Sequence, residues 1–247
     1  MGTYRWWLAT AFLFWAAGSG RGDEARAIVD RAIRAHGGAA NIDRFHASLT
    51  HTMGTIAANG GTISFTQEIR LERPGRLRQL LSLRSGDGKE TAAFTTVYNG
   101  RKGWLKQNGT TQELGDRELE ETRETAYLAE LTRLTCLTDS AFELAVLADT
   151  VVGGRRAVGV RVIRRGYRDV DLFFDAQSGL LLKTRRRAVW KGTEFVEERL
   201  LSDYREVQGI KSAKKVEVSR GGERFMTAEI LDVQYLEAFG DNIFERP

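Results

Sequence analysis

Most of the chain alternates between apolar and polar positions, the period that is typical of β-strands. Within 62–71, for example, Ile63, Phe65, Ile69 and Leu71 lie on one side and polar residues lie between them. Glycine-containing turn signals separate such runs: Asn59-Gly60-Gly61, Pro74-Gly75, Asn99-Gly100, Asn108-Gly109, Gly153-Gly154, Ser178-Gly179, Lys191-Gly192 and Gly221-Gly222. This spacing predicts an antiparallel meander of roughly eleven strands.

Two segments have helical spacing instead. From Asp23 to His36 apolar residues recur every three or four positions before a glycine pair, which predicts an N-terminal helix. From Asp116 to Thr135 leucines lie on one face and charges on another, which predicts a helical insertion. The stretch from Phe142 to Val152 is ambiguous, because Ser140 and Glu143 have capping-box spacing, but the following glycine pair favours a strand.

These elements predict one mainly β (α+β) domain with a strongly curved antiparallel sheet. The apolar face of so large a sheet needs cover, so the sheet must close or curl over something. The N-terminal helix and the inserted helix, acting as a lid, are small for this purpose. A partly filled concave cavity is therefore expected, and a tightly packed interior is the alternative.

The N-terminal residues have the pattern of a secretory signal peptide. Arg5 precedes a short apolar run from Trp6 to Ala17, and the small residues Gly18-Ser19-Gly20 follow. The run is short for a membrane-spanning helix. We therefore expect a signal peptide over 1–22 and a single mature domain over 23–247, with an uncleaved membrane anchor as the alternative.

Composition narrows the function classes further. The formal net charge is +4 and the mean hydropathy is −0.35, values that favour neither a membrane-spanning protein nor a nucleic-acid binder. Cys136 is the only cysteine, so the chain cannot form an internal disulfide. We expect a buried structural thiol there, and a nucleophile is the alternative.

Several stretches resemble the LolA/LolB-type lipoprotein carriers. They are FHASLTHTMGTIAANGGTISFTQEIRLERPGRLR, VYNGRKGW, LFFDAQSGLLLK, LLSDYREVQGIKSAKKVEV and the closing NIFERP. The resemblance implies a half-open antiparallel β-barrel covered by helices, with an apolar cavity that carries lipoprotein acyl chains through the bacterial periplasm. The N-terminal segment has no cysteine for lipid attachment, so the chain fits the soluble, LolA-like branch.

The resemblance implies a monomeric, non-enzymatic carrier or binder of acyl chains without cofactor, metal or nucleic acid. Its candidate partners are an inner-membrane releasing transporter and an outer-membrane receptor. An envelope-stress sensor or scaffold on the same fold is one alternative, and an exported hydrolase that uses a histidine such as His46 is another. The extended segment from Thr111 to Thr150 departs from the family pattern and leaves the client open.

Strand parity and the resemblance together predict the site residues. The candidates for the cavity lining are Phe65, Ile69, Leu71, Leu77, Phe94 and Trp104. Arg73 shares parity with Ile69 and Leu71 and precedes Pro74, so it should reach helix-end carbonyls from a strand end and latch the lid. The alternative for Arg73 is a solvated side chain or a pair with a nearby glutamate.

Other charged residues are expected to be solvated. The arginines near Arg73 should point outward, namely Arg70, Arg76 and Arg78. The same holds for an acidic set, Asp169, Asp171 and Asp175, and for a basic set, Lys183, Arg185, Arg186, Arg187 and Lys191. The histidines, His36, His46 and His51, lack the compact spacing of a zinc site.

Overall fold

The computed structural model describes residues 19–58, 60–86, 88–240 and 242–247, with the backbone alone for 19–21. The predicted signal peptide over 1–22 therefore lies almost entirely outside the described residues. Asn59 in the first turn signal lies outside them as well. No helix within the described residues is long and apolar enough to cross a membrane.

The described chain contains three α-helices and thirteen strands. The helices are α1 (Ser19–Ala35), α2 (Ala39–Asp43) and α3 (Asp116–Leu131), and a 3-10 turn follows at Thr135–Thr138. The strands are β1 (Ala47–Ala58), β2 (Gly61–Glu72), β3 (Arg76–Arg84), β4 (Glu90–Tyr98), β5 (Gly103–Gln107), β6 (Thr110–Glu113), β7 (Glu143–Val152), β8 (Arg155–Ile163), β9 (Val170–Asp175), β10 (Leu181–Trp190), β11 (Thr193–Val207), β12 (Ile210–Arg220) and β13 (Glu223–Leu236).

All thirteen strands form one curved, unclosed antiparallel sheet. Their order is β6-β5-β4-β3-β2-β1-β13-β12-β11-β10-β9-β8-β7, so the first and last strands pair at its centre. This arrangement confirms the predicted mainly β, half-open architecture. The number of strands is higher than predicted because the turns at 85–89, 164–169 and 208–209 also separate strands and were not among the predicted turns.

The predicted helices are present with shifted ends. The inserted helix ends at Leu131 instead of continuing to Thr135, because Leu134 has a positive φ of 68° and starts the 3-10 turn. The ambiguous stretch from Phe142 to Val152 forms β7, which confirms the choice of a strand.

Gly54 in the middle of β1 allows the backbone of β13 to approach closely. A Cβ atom at this position would lie 2.0 Å from the carbonyl oxygen of Thr227. No side chain fits in that space. A glycine inside a strand often marks such a close approach or a tight bend of the sheet.

The main core lies between the helices and the C-terminal half of the sheet. Val29 and Ile33 of α1 and Leu128 and Leu131 of α3 are almost fully buried there. They pack on alternate residues of β8 and β9, among them Val160, Val162, Val170 and Leu172. The helices therefore cover this half of the sheet most completely. We call the helix-covered face of the sheet the concave face.

The opposite face is covered near β4 and β5 by the C-terminal segment. Phe239, Ile243 and Phe244 pack there on Val97 and Trp104. The Arg78 guanidinium donates a hydrogen bond to the carbonyl oxygen of Ile243 at 3.1 Å. The packing of this segment accounts for the apolar residues Val97 and Trp104 on the outer face of β4 and β5.

Candidate functional site

The strand register places five of the six predicted lining residues on the concave face. Leu71 of β2 pairs with Leu77 of β3, which pairs with Tyr98 of β4. Ile69, Leu71 and Leu77 pack against Ala126 and Leu119 of α3. These three positions are therefore covered by α3 in the arrangement seen here.

Phe65 and Phe94 lie farther along the same face, towards the β1–β2 and β3–β4 turns. Phe65 is 2% exposed and pairs with Leu83, and Phe94 is half-buried and pairs with Leu81. Ile56 of β1 pairs with Ile63 of β2 and with Met226 of β13, so the same face extends across these three strands. The half-buried apolar residues of this region form what we call the apolar concave surface: Ile56, Ile63, Leu81, Leu83, Phe94, Met226 and Ile230.

Trp104 lies on the other face of the sheet. It pairs with Val97, whose neighbours Thr96 and Tyr98 point to the concave face, and it packs against Phe244. Because successive side chains of a strand alternate between faces, Trp104 cannot share a face with Phe94. The structure therefore separates Trp104 from the other five lining candidates.

Arg73 joins three segments at the end of β2. Its Nη1 atom donates to Asp43 Oδ1 at 3.1 Å and to Thr135 Oγ1 at 3.2 Å. Its Nη2 atom donates to the carbonyl oxygen of Phe45 at 3.2 Å, just beyond α2. The side chain is 17% exposed. Thr135 begins the 3-10 turn after α3, so Arg73 connects the covering helices to the sheet.

Arg133 holds the same junction from the other side. Its Nη2 atom donates to the carbonyl oxygens of Ile42 and Phe45, both at 2.9 Å. Burial and the neighbouring Arg73 lower the pKa of Arg133. Sequence reasoning missed Arg133 and Asp43, because a contact between residues some ninety positions apart leaves no local pattern.

The other three arginines near Arg73 are less solvated than expected. Arg70 pairs with Glu68 at 3.0 Å and is partly exposed. Arg76 pairs with Glu72 and stacks on the Phe244 ring, and Arg78 contacts the C-terminal segment. They do lie on the face opposite α3. The expectation that all three are solvated is wrong for Arg78, because the C-terminal segment covers it.

A four-residue cluster lies on the concave face of β10, β11 and β12. Glu197 Oε1 accepts hydrogen bonds from Arg186 Nε at 3.2 Å and from Arg199 Nη2 at 2.9 Å. Arg220 Nη2 lies 3.5 Å from Glu197 Oε2. We call these four residues the arginine cluster. Burial alone would raise the pKa of Glu197, but the arginines outweigh it and lower that pKa to about 2.

The arginine cluster corrects the prediction that the basic stretch from Lys183 to Lys191 is solvated. Arg186 is only 6% exposed, whereas Arg187 next to it is exposed. The signal was present in the sequence, because Arg186 alternates with Thr184 and Ala188, which are both buried. The surrounding basic residues make this alternation of buried and exposed positions hard to recognise in the sequence.

Of the three aspartates predicted to be solvated, Asp169 is exposed as expected, but Asp171 and Asp175 are buried. Asp171 is 5% exposed and accepts hydrogen bonds from Arg161 and Arg185. Asp175 is 3% exposed and accepts from the backbone N–H groups of Gln177 and Ser178. Burial favours a higher pKa for both carboxyls, but these donors lower it. Asp171 and Asp175 are solvent-shielded because arginines and turn amides satisfy them.

The contacts of His36, His51 and Cys136 are typical of residues with a structural role. His36 is buried, its Nδ1 lies 2.8 Å from the Ala32 carbonyl oxygen, and burial lowers its pKa. His51 lies 3.4 Å from Glu68. Burial raises the pKa of the half-buried Cys136 thiol to about 12. Among the described residues, no group of three or more histidine, cysteine or acidic side chains could hold a metal ion.

A cleft of about 220 Å³ opens between α3 and the β2–β3 turn. Its walls include Tyr127 and Tyr167, whose rings stack 4.1 Å apart, and Arg164, whose guanidinium lies 5.1 Å from the Tyr167 ring centre. Typical small-molecule sites are larger, roughly 300–1,000 Å³, and more apolar. The apolar concave surface is therefore the better candidate for an acyl chain.

Three of the solved structures that match this chain come from different bacteria. A DUF1329 family protein from Desulfovibrio piger matches with a TM-score of 0.58 at 15% identity. A LolA superfamily protein from Nitrosomonas europaea matches with a TM-score of 0.58 at 9% identity. An outer membrane lipoprotein-sorting protein domain from Vibrio parahaemolyticus matches with a TM-score of 0.55 at 12% identity. Each match covers 90% of this chain and 97% of the other.

The likeness is one of structure, at identities too low to carry over a function. No protein-family model matches the chain, and a search of curated proteins finds no match. The matches do cover nearly all of both chains, and they agree with the curved, unclosed sheet described above. The chain therefore has a LolA-like fold.

Proposed function

We propose that this protein is a non-enzymatic carrier or binder of lipoprotein acyl chains that works in the bacterial periplasm. The observation that carries the proposal is the apolar concave surface, which stays half-buried on a sheet that does not close. The fold shared with a lipoprotein-sorting domain supports the same interpretation. The acyl chain would lie on the apolar concave surface along β1 to β4, and it would extend over Leu71 and Leu77 after α3 has moved aside.

The hydrophobic gain is sufficient for such a ligand. A chain of about sixteen carbons gains roughly 13 kcal/mol in gross transfer free energy, at about 0.8 kcal/mol for each buried methylene. Ordering the chain and displacing α3 from Leu71 and Leu77 reduce that gain.

A titration with a fluorescent fatty acid tests the proposal. Folded, delipidated protein should bind the probe saturably, and a long-chain fatty acid should displace it. Phe94→Asp should weaken binding, because it places a charge on the apolar concave surface. Val151→Asp is the matched control, because Val151 is 68% exposed and belongs to the edge strand β7. Absence of saturable binding by the parent protein would contradict the proposal.

Arg73 is proposed to latch α3 in the closed arrangement. Lifting α3 and its 3-10 turn away from the sheet requires breaking the contact between Arg73 and Thr135. A latch of this kind keeps Ile69, Leu71 and Leu77 covered by α3 when no ligand is bound, and the burial of an entering acyl chain would offset the loss of the latch contacts.

Arg73→Leu should leave the fold intact and change the rate of lipid loading or release. Arg70→Leu is the control, because Arg70 is similarly shielded but pairs with Glu68 on the opposite face. Stopped-flow transfer of a fluorescent lipid to acceptor vesicles measures both rates. Equal rates for the two variants and the parent protein would rule out the latch.

Export is proposed from the pattern of the N-terminal residues. The mature protein should begin between Ser19 and Asp23. Intact-mass analysis of protein recovered from a periplasmic extract measures this start directly. A polypeptide that retains Met1 in the membrane fraction would contradict it.

A further inference from the structure

The arginine cluster lies beside the apolar concave surface on the same face of the sheet. Arg199 of β11 pairs with Val218 of β12, which pairs with Met226 of β13. Met226 belongs to the apolar concave surface. An extended ligand on that surface could therefore reach the cluster by crossing two strands.

The cluster carries more positive than negative charge. Three guanidinium groups surround one carboxylate, Glu197, which is 3% exposed. Two glutamates of α3 interact electrostatically with Arg186 but also have other basic partners: Glu121 binds Arg168 at 2.5 Å, and Glu124 lies 3.8 Å from Arg123. Arg199 and Arg220 are 31% and 29% exposed, but Arg186 is buried, and a buried charge normally has a matching opposite charge. The cluster is short of acceptors.

Arg186 has a donor that no described residue satisfies. Its side chain is 5% exposed, and its Nε atom donates a hydrogen bond to Glu197. Its Nη2 atom lies 3.1 Å from Glu197 Oε1 and 3.4 Å from Thr125 Oγ1 of α3. Its Nη1 atom is buried and has no hydrogen-bond partner within the described residues. Unpaired donors of buried charged groups are costly, so such an atom marks a place where an acceptor is missing.

Arg220 is held in a fixed position at the edge of the cluster. Its guanidinium lies 3.5 Å from the centre of the Phe225 ring and 5.1 Å from that of Phe195. The Nε atom of Arg220 is also buried without a partner. The side chain is 29% exposed, so a ligand can approach it. A planar guanidinium fixed between rings is well suited to a two-pronged contact with an acidic group.

We propose that the arginine cluster binds the acidic group of an amphiphile whose apolar chain lies on the apolar concave surface. The acidic group is a carboxylate or a phosphate, because both present paired oxygens to guanidinium groups. This inference rests on the proposed acyl-chain function and adds a preference for anionic ligands. The Arg186 contact with Thr125 links the site to α3, so binding there also affects the covering helix.

Calorimetric titration with three sixteen-carbon probes tests the inference: palmitate, hexadecyl phosphate and the neutral hexadecanoyl glycerol. At low salt, the two anionic probes should bind about tenfold more tightly than the neutral probe, because each gains charge-assisted hydrogen bonds. Arg199→Gln and Arg220→Gln should remove this preference and keep the binding of the neutral probe. Arg187→Gln is the matched control, because Arg187 is 74% exposed and pairs with Glu194 outside the cluster.

The outcomes separate the inference from the proposed function. Equal affinity for all three probes would overturn the inference and leave the acyl-chain function standing. Failure of every probe to bind would overturn both. Inorganic phosphate is titrated in parallel, and if it binds as tightly as hexadecyl phosphate, the site recognises a free anion and the amphiphile is excluded. Circular dichroism checks that both cluster variants are folded, and the partly exposed positions of Arg199 and Arg220 favour this.

Discussion

Replacing Glu197 with glutamine tests the electrostatics of the arginine cluster. Glu197 is almost fully buried and accepts hydrogen bonds from Arg186, Arg199 and Arg220. Glutamine keeps the size of the side chain and one acceptor oxygen but removes the negative charge. Three guanidinium groups then remain close together without a counter-charge, so the folded state should lose stability.

The size of the effect follows from the pKa of Glu197. Its ordinary value of 4.5 is lowered to about 2 in the folded protein. Because each pKa unit is worth about 1.4 kcal/mol, the ionised carboxylate contributes about 3 kcal/mol to the free energy of unfolding at neutral pH. The pKa is lowered on folding, so this contribution is fully present above about pH 4.5 and is lost as the pH falls towards about 2.

Urea unfolding of Glu197→Gln and the parent protein between pH 7 and pH 2.5 measures this contribution. The difference in unfolding free energy should be about 3 kcal/mol at pH 7 and should shrink steadily below pH 4.5. Glu194→Gln is the control, because Glu194 forms an exposed pair with Arg187 and should change stability by less than about 1 kcal/mol. A difference that is absent at pH 7, or that does not change with pH, would refute the reasoning.

Two further predictions concern positions away from the cluster. Gly54→Ala should destabilise the protein by several kcal/mol or prevent folding, because the new Cβ atom would lie 2.0 Å from the Thr227 carbonyl oxygen. Thermal unfolding measures this effect, and a melting temperature equal to that of the parent protein would contradict the close approach. Cys136 should react slowly with iodoacetamide at pH 8 in the folded protein and quickly after denaturation, because burial raises the pKa of its thiol to about 12. A fast reaction in the folded protein would contradict this prediction, because it would show that the thiol is accessible.

The fold could be predicted from sequence because its signals are local. Alternation within strands and glycine turns between them, such as Pro74-Gly75 and Asn99-Gly100, define hairpins without knowledge of distant residues. The undercounted strands follow turns outside the predicted set, for example Gln208-Gly209, where a glutamine precedes the glycine.

The site was less predictable because its contacts are distant in sequence. The alternation of side chains between the two faces can be followed only within one strand, and each turn sets it anew. Trp104 follows the Asn99-Gly100 turn and lies on the opposite face from Phe94. The partners of Arg73, among them Thr135, come from segments that only the tertiary fold brings together. Arg186 was the missed residue with a usable signal, because it alternates with the buried residues Thr184 and Ala188.

Native mass spectrometry of the exported protein tests the central claim most directly. The protein would be produced with its full N-terminal segment, recovered from the periplasm without detergent and sprayed from a volatile buffer. The acyl-chain function predicts additional species heavier than the polypeptide by the mass of acyl lipids, which organic extraction removes and renewed exposure to lipid restores. A spectrum that contains only the polypeptide mass, both on recovery and after incubation with acyl lipids, would contradict the account.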